Sequence, residues 1–387
     1  MFVFFNFRKY KDIFDFSILF NLLAFIYFFL GLNIFQNLYG QSNLLIQISY
    51  DCLLALLSFN LAYYLFNFKR KIFKLKIWKP DKGLILFFFY LTVFIELYSF
   101  FERGGLINRT DAFYFLNNNK YLFLNKTFQF ILYFLISSSF FSKDDKNYSI
   151  YAINTFILIL LSFVNISRFE IFNILLINIY FVYLYRGVRL RSLLIYSSLV
   201  TFLFLALKPL LYLLLLNQTY ADNTLNYSEI INWIRNTYIT LNSTAEYPYN
   251  SYLVTLEGMI NPFISSEKPL SNWYMQTFFY SDYLNGNKYG FSSLAEGYMN
   301  GNRYYNILSF AFLGFLFKYV NDYRKDVFGI FLKLIFITIM YKLFRSELYN
   351  FFRSLIYIYI LPYLIIYLIS YLFSNNTKEV IFSRREN

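Results

Sequence analysis

The chain has 387 residues, 58% of them hydrophobic and only 15% charged, with 52 Phe and 40 Tyr, more apolar surface than water accepts on a soluble domain of this length. A lone cysteine, Cys52, lies in an apolar run, which excludes an intramolecular disulfide and a Cys-based metal site. Histidine is absent, so the commonest general base and zinc ligand are missing, and chemistry falls to carboxylates, arginines and hydroxyls, with no metal and no cofactor expected.

Apolar runs long enough to cross a hydrocarbon core about 30 Å thick recur along the chain. They predict an all-α polytopic membrane protein of about ten transmembrane helices, near 14–36, 45–67, 83–101, 121–142, 149–166, 169–185, 193–216, 303–322, 327–344 and 354–373. Ser167-Arg168 reads as a tight reversal between the fifth and sixth spans, with one bent segment as the alternative. The domains are then an N-terminal bundle of about seven spans at 1–216, a large outward loop at 217–302, and a C-terminal bundle of about three spans with a cytoplasmic tail at 303–387.

The formal net charge of +13 is not spread evenly. Basic clusters at Lys69–Lys82, Lys143 and Lys146, Arg186–Arg191, and Arg324 and Lys325 fall on one side if there are ten spans. The positive-inside rule makes that side cytoplasmic and places both termini there. Within the loop, Ser228 to Leu241 carries Ile230, Ile231, Ile234 and Tyr238 at helical spacing and reads as an amphipathic helix on the bilayer surface. The rest of the loop, with Pro248, Pro262 and Pro269, is expected to be mostly irregular.

Three features carry candidate chemistry. Single arginines, namely Arg103, Arg109, Arg168, Arg235, Arg303, Arg345 and Arg353, lie on the outward side. A guanidinium fork suits pyrophosphate or sugar carboxylates, and the plainer alternative is interfacial anchoring. Asp51, Glu96, Lys126 and Lys208 lie inside spans, roughly 8–13 Å below the outer surface at 1.5 Å per residue. Charge there requires either an outward-open polar cavity or ion pairs that tie helices together. Finally, Ser292-Ser293-Leu294-Ala295-Glu296-Gly297-Tyr298-Met299-Asn300-Gly301-Asn302-Arg303 brings a carboxylate, an amide and a guanidinium together beside glycines.

The pattern Glu296-x-Tyr298-x-Asn300, ahead of a span containing Gly314, resembles the end of the large outer loop in Wzy-type O-antigen and capsular polysaccharide polymerases. Arg345-Ser346-Glu347-Leu348, Arg353, Pro362, Arg168 opening a span and Arg235 early in the loop resemble other parts of that family. Asn302 departs from it, standing where the family often has glycine. The resemblance implies a membrane glycosyltransferase of the bacterial cytoplasmic (inner) membrane, which transfers an undecaprenyl-pyrophosphate-linked glycan onto a new lipid-linked repeat unit. Its partners would be those lipid-linked oligosaccharides and membrane lipid, with a chain-length regulator and a flippase of the same pathway, and no nucleic acid.

On this reading Glu296, Arg168 and Arg303 are catalytic, and Arg235, Asn300, Tyr298, Arg345, Arg353 and Lys208 bind substrate. Glu296 is either the base for the acceptor hydroxyl or the partner of an arginine that shapes the loop, with Glu257, Asp282 and Glu246 as the next carboxylates. An O-antigen ligase is the nearest rival enzyme, although such ligases usually rely on a loop histidine. A polysaccharide flippase or transporter, or a membrane scaffold, is the rival from outside enzymology.

Overall fold

The computed structural model of the protein describes residues 14–40, 42–66, 82–102, 120–141, 148–164, 168–186, 227–243, 245–261, 268–284, 290–300, 304–323 and 327–373. Among the described residues there is no strand, and the chain is all-α. Among the described residues, five helices are long and apolar enough to cross a membrane: Phe16–Tyr39, Asn43–Leu65, Lys82–Glu102, Val327–Arg345 and Leu348–Ile369. They coincide with the first three and last two of the expected spans. The fourth, fifth, sixth and eighth are the helices Lys120–Phe141, Tyr148–Val164, Arg168–Arg186 and Tyr304–Tyr323, which are not among those five. The seventh, 193–216, lies outside the described residues.

Local signals explain where these helices begin, end and bend. The Asp15 carboxylate accepts the Ser17 amide at 2.9 Å and so caps Phe16–Tyr39. Gly40, at a φ of +84°, ends that helix in a conformation that glycine adopts without penalty. Ser42 then caps the next helix through the Leu45 amide at 3.3 Å. Near the C-terminus, Pro362 has no N–H for the Ile358 carbonyl one turn earlier, and the helix widens into π turns over Ser354–Ile360.

The chain divides into two compact units, residues 1–73 with 224–357, and 74–223 with 358–387. In the first, Asn43–Leu65 packs along Tyr304–Tyr323. Their axes come close because Gly314 faces the Phe59 carbonyl, where a Cβ would lie 2.3 Å from the oxygen. Phe20 stacks on Phe59 with centroids 3.6 Å apart. Asn21 and Asn60, both buried, exchange amide hydrogen bonds of 2.9 and 3.0 Å, leaving neither amide unsatisfied away from water.

In the second unit, Lys120–Phe141 packs against Lys82–Glu102 and Arg168–Arg186. The Lys126 ammonium lies 3.6 Å from Glu96 and 3.4 Å from Glu170, while the Asn125 amide donates to Glu96 and to the Thr92 carbonyl. One cation thus ties three helices. Tyr133, Thr155 and Asn178 form a further bridge, with 2.9 Å from the Tyr133 hydroxyl to each partner.

Two expectations for the loop are corrected. The helix Tyr227–Leu241 forms over the expected residues, but its apolar face meets protein rather than lying free for a bilayer surface. Trp233 and Ile234 are buried, the Trp233 indole donates to the Tyr27 carbonyl at 3.2 Å, and Ile230 and Ile234 pack on Gly31. The described residues of the remainder are largely helical, as Ser251–Ile260, Leu270–Phe278, Tyr280–Leu284 and Ser293–Met299. Pro269 occupies the N-cap of its helix and Pro248 precedes another, so these prolines start helices instead of interrupting them.

Candidate functional site

The short helix Ser293–Met299 is the centre of the first unit's polar chemistry. It is held on three sides. Asn236 donates to the Gly290 carbonyl at 2.8 Å, and Gly290 itself sits so close to the Arg345–Ser346 backbone that a Cβ would lie 1.9 Å from the Arg345 carbonyl oxygen. The Ser293 hydroxyl donates to the Leu343 carbonyl at 2.7 Å. Phe291 and Ala295 join Leu270, Tyr274 and Met275 in a fully buried cluster.

Asn300 closes the third side. Its amide nitrogen donates to the Ser251 hydroxyl (2.8 Å) and the Glu296 carbonyl (2.6 Å), and its oxygen accepts the Ser251 amide (2.9 Å). All three bonds are internal, so Asn300 joins Ser251–Ile260 to Ser293–Met299 and has little bonding capacity left for a ligand. The Tyr298 hydroxyl reaches the Asp51 carboxylate, giving that intramembrane acid a partner.

Glu296 is fully buried, and neither of its carboxyl oxygens has a hydrogen-bond partner among the described residues. Burial pushes its pKa well above the usual carboxylate range, and the charge of Glu347 pushes it further. The Leu348 amide and the Ser251 hydroxyl face it and pull the other way, without closing a bond that meets hydrogen-bond geometry. Glu347 has the opposite surroundings. It is also buried, but its carboxylate accepts the Ser271 amide (3.0 Å), the Ser271 hydroxyl (2.8 Å) and the Asn350 amide (3.1 Å). Two neighbouring carboxyls in contrasting environments can separate proton-holding from charge-holding roles. Burial, with Glu296 adding to it, also raises the Tyr252 phenol.

Arg345 stacks over Tyr341 with its guanidinium 5.8 Å from the ring centroid, and Arg353, exposed, lies 5.6 Å from that of Tyr349. Arg235 is half-buried on Tyr227–Leu241. Arg303 and Lys208 lie outside the described residues, and Arg168 is described only by its backbone, as the first residue of Arg168–Arg186. Arg168, Glu96 and Lys126 belong to the second unit, whereas Asp51 and Glu296 belong to the first. Glu257 is paired with Lys268 at 2.9 Å, and Glu246 is exposed.

Sequence reasoning missed Glu347, Ser251 and Asn306. Glu347 stood inside a quoted motif without a role, and only tertiary packing shows its charge acting on Glu296. Asn306 is 1% exposed with both amide atoms unpartnered, and its side chain fills the space where a Cβ on Gly297 would lie, 2.4 Å from its oxygen. Nothing in the apolar pattern of its helix marks it.

Residues 240–377 match the family model described as O-antigen polysaccharide polymerase Wzy. The matched stretch contains Glu296, Asn300, Asn306, Arg345, Glu347 and Arg353. No curated protein and no solved structure matches the chain. The resemblance drawn from the Glu296 and Arg345 stretches is borne out over this C-terminal part.

Proposed function

We propose, from the match of residues 240–377 to the O-antigen polysaccharide polymerase Wzy family, that the protein joins undecaprenyl-pyrophosphate-linked oligosaccharide repeat units on the outer face of the cytoplasmic membrane, with all ten expected spans in place. An acceptor hydroxyl oxygen bonds to the anomeric carbon of the donor glycan. The bond from that carbon to the pyrophosphate oxygen breaks, undecaprenyl pyrophosphate leaves with the electron pair, and the acceptor proton passes to Glu296.

The observation that supports this best is Glu296 itself, buried with two unpartnered oxygens inside the family-matched stretch. A carboxyl whose proton affinity is raised by burial is a stronger base once ionised, the state in which it can take the acceptor's proton. Its helix has only seven residues and ends next to the half-buried Tyr298 and Asn300. The arginines, with Arg168 and Arg303 first and Arg235, Arg345 and Arg353 beside them, would stabilise the charge growing on the leaving pyrophosphate, and Lys208 would assist in binding it.

The test is a deletion strain. Its lipid A or lipid carrier should keep single repeat units while the long-chain ladder disappears. Loss of even the single capped unit would point instead to a ligase or flippase.

A further inference from the structure

Within the first unit, a set of buried polar atoms without a hydrogen-bond partner among the described residues gathers about Glu296, while the Asn321 amide oxygen lies apart from it, on a side chain that bonds Asp15. Both carboxyl oxygens of Glu296, both amide atoms of Asn306 and the hydroxyls of Tyr252, Thr255 and Ser292 are enclosed without a hydrogen-bond partner among the described residues. Ser292 occupies the N-cap position of the Glu296 helix, one turn before that carboxyl, and its side chain makes no cap bond. Asn306 packs against Gly297, the next residue. Tyr252 lies within electrostatic reach of Glu296, and its hydroxyl faces the Ser309 side chain without closing a bond that meets hydrogen-bond geometry; Thr255 is one turn beyond Ser251, whose hydroxyl faces the Glu296 carboxyl.

Each such group destabilises the fold when left unsatisfied away from water. Several together are not a device for stability, and nearby polar side chains such as Asn300 and Glu347 make at least three hydrogen bonds each within the protein. The chemistry of the set is also particular. Hydroxyls, an amide and a carboxyl both donate and accept, as every hydroxyl of a sugar ring does. The charge acting on Glu296 is the negative charge of Glu347, which opposes a second anion at this place.

We propose that this junction of the helices Ser251–Ile260, Ser293–Met299 and Tyr304–Tyr323 is a binding site for a neutral, hydroxyl-bearing sugar ring of the acceptor repeat unit, and that it rejects uronic acids and phosphate. The proposal rests on the polymerase reading and narrows it: the pyrophosphate binds elsewhere, and the sugar that meets Glu296 carries no charge.

The test uses the full-length protein in lipid nanodiscs and saturation-transfer NMR. The probes are methyl α-D-glucopyranoside, methyl α-D-galactopyranoside, methyl N-acetyl-α-D-glucosaminide and methyl α-D-glucuronide. At least one neutral glycoside should give a signal, and the glucuronide should not. Thr255→Val and Asn306→Leu should each weaken that signal about fivefold or more, the loss expected for one or more hydrogen bonds. Thr255→Val and Tyr252→Phe should melt no lower than the parent, because an apolar isostere replaces a hydroxyl with no hydrogen-bond partner among the described residues.

Silence from all three neutral probes, equal or stronger binding of the glucuronide, or unchanged signals in the variants would overturn the site. Lower melting of both isosteric variants would do the same, showing that the hydroxyls are bonded within the fold. A deletion strain that kept its long-chain ladder while the glycosides still bound would remove the polymerase reading and leave the sugar site. A lost ladder with no glycoside binding would remove the site alone.

Discussion

Gly290→Ala tests how tightly the Glu296 helix is tied to the C-terminal helices. The added Cβ would stand 1.9 Å from the Arg345 carbonyl oxygen and 3.1 Å from its carbon, against the 3.4 Å at which ordinary contact begins, a shortfall of 1.5 Å. Both sides of the contact are backbone, so no rotamer relieves it. Gly290 does not have a left-handed φ, and the effect is therefore steric alone.

The displacement is transmitted through Phe291 and the Ser293–Leu343 hydrogen bond toward Glu296, and through Ser346 toward Glu347. A misplacement of about 1 Å at a reacting group costs on the order of 10²-fold in rate. Overpacking costs about 1–3 kcal/mol, and the stiffer unfolded chain returns about 0.4–1 kcal/mol of that. We expect a folded protein with slightly lower stability and about 10²-fold slower chain extension, measured with purified lipid-linked repeat units. Wild-type extension by Gly290→Ala would refute the coupling.

Lys126→Met should lower stability by about 3–5 kcal/mol, because it leaves the buried Glu96 carboxylate beside Glu170 with their shared cation gone; melting in detergent measures it, and adding Glu96→Gln should restore part of the loss. For Glu296, the folded pKa lies above the unfolded one, so the folded state holds the extra proton between them. Its contribution to stability is then full below the ordinary carboxylate value of about 4.3 and is lost as pH rises through the raised value. Glu296→Gln should flatten that part of the melting-versus-pH curve, and an unchanged slope would show that the carboxyl is not buried as described. Arg168→Lys and Arg303→Lys should lose most chain extension at normal protein levels, since a retained point charge does not replace a bidentate fork; full activity in both would make them anchors.

How much of this was legible in the sequence depends on whether the signal is local. Apolar runs at 14–36 and 45–67 became the helices Phe16–Tyr39 and Asn43–Leu65 because length and hydrophobicity are properties of the segment itself. Glu296 was marked by its neighbours in the chain. The roles of Asn300 and Glu347 were not, since each depends on partners far away in sequence, Ser251 for one and Ser271 for the other. The helix Tyr227–Leu241 has the amphipathic spacing expected of it and a different neighbour, because a periodic apolar face does not say whether protein or lipid will cover it. The intramembrane charges were read as either cavity or ion pairs. For Glu96 and Lys126 the geometry answers with an ion pair that includes Glu170, a residue the apolar pattern did not single out.

The central claim, that Glu296 takes the proton of the acceptor hydroxyl, is tested most directly by Glu296→Gln in a purified chain-extension assay with abundance, melting temperature and binding of the lipid-linked unit measured in parallel. Because the carboxyl is buried and its proton affinity raised, the amide is close to an isostere of the protonated side chain. The account predicts normal abundance, equal or higher melting temperature, retained binding and a rate lower by about 10²–10⁴-fold. A well-folded Glu296→Gln protein that extends chains at near the wild-type rate would contradict it.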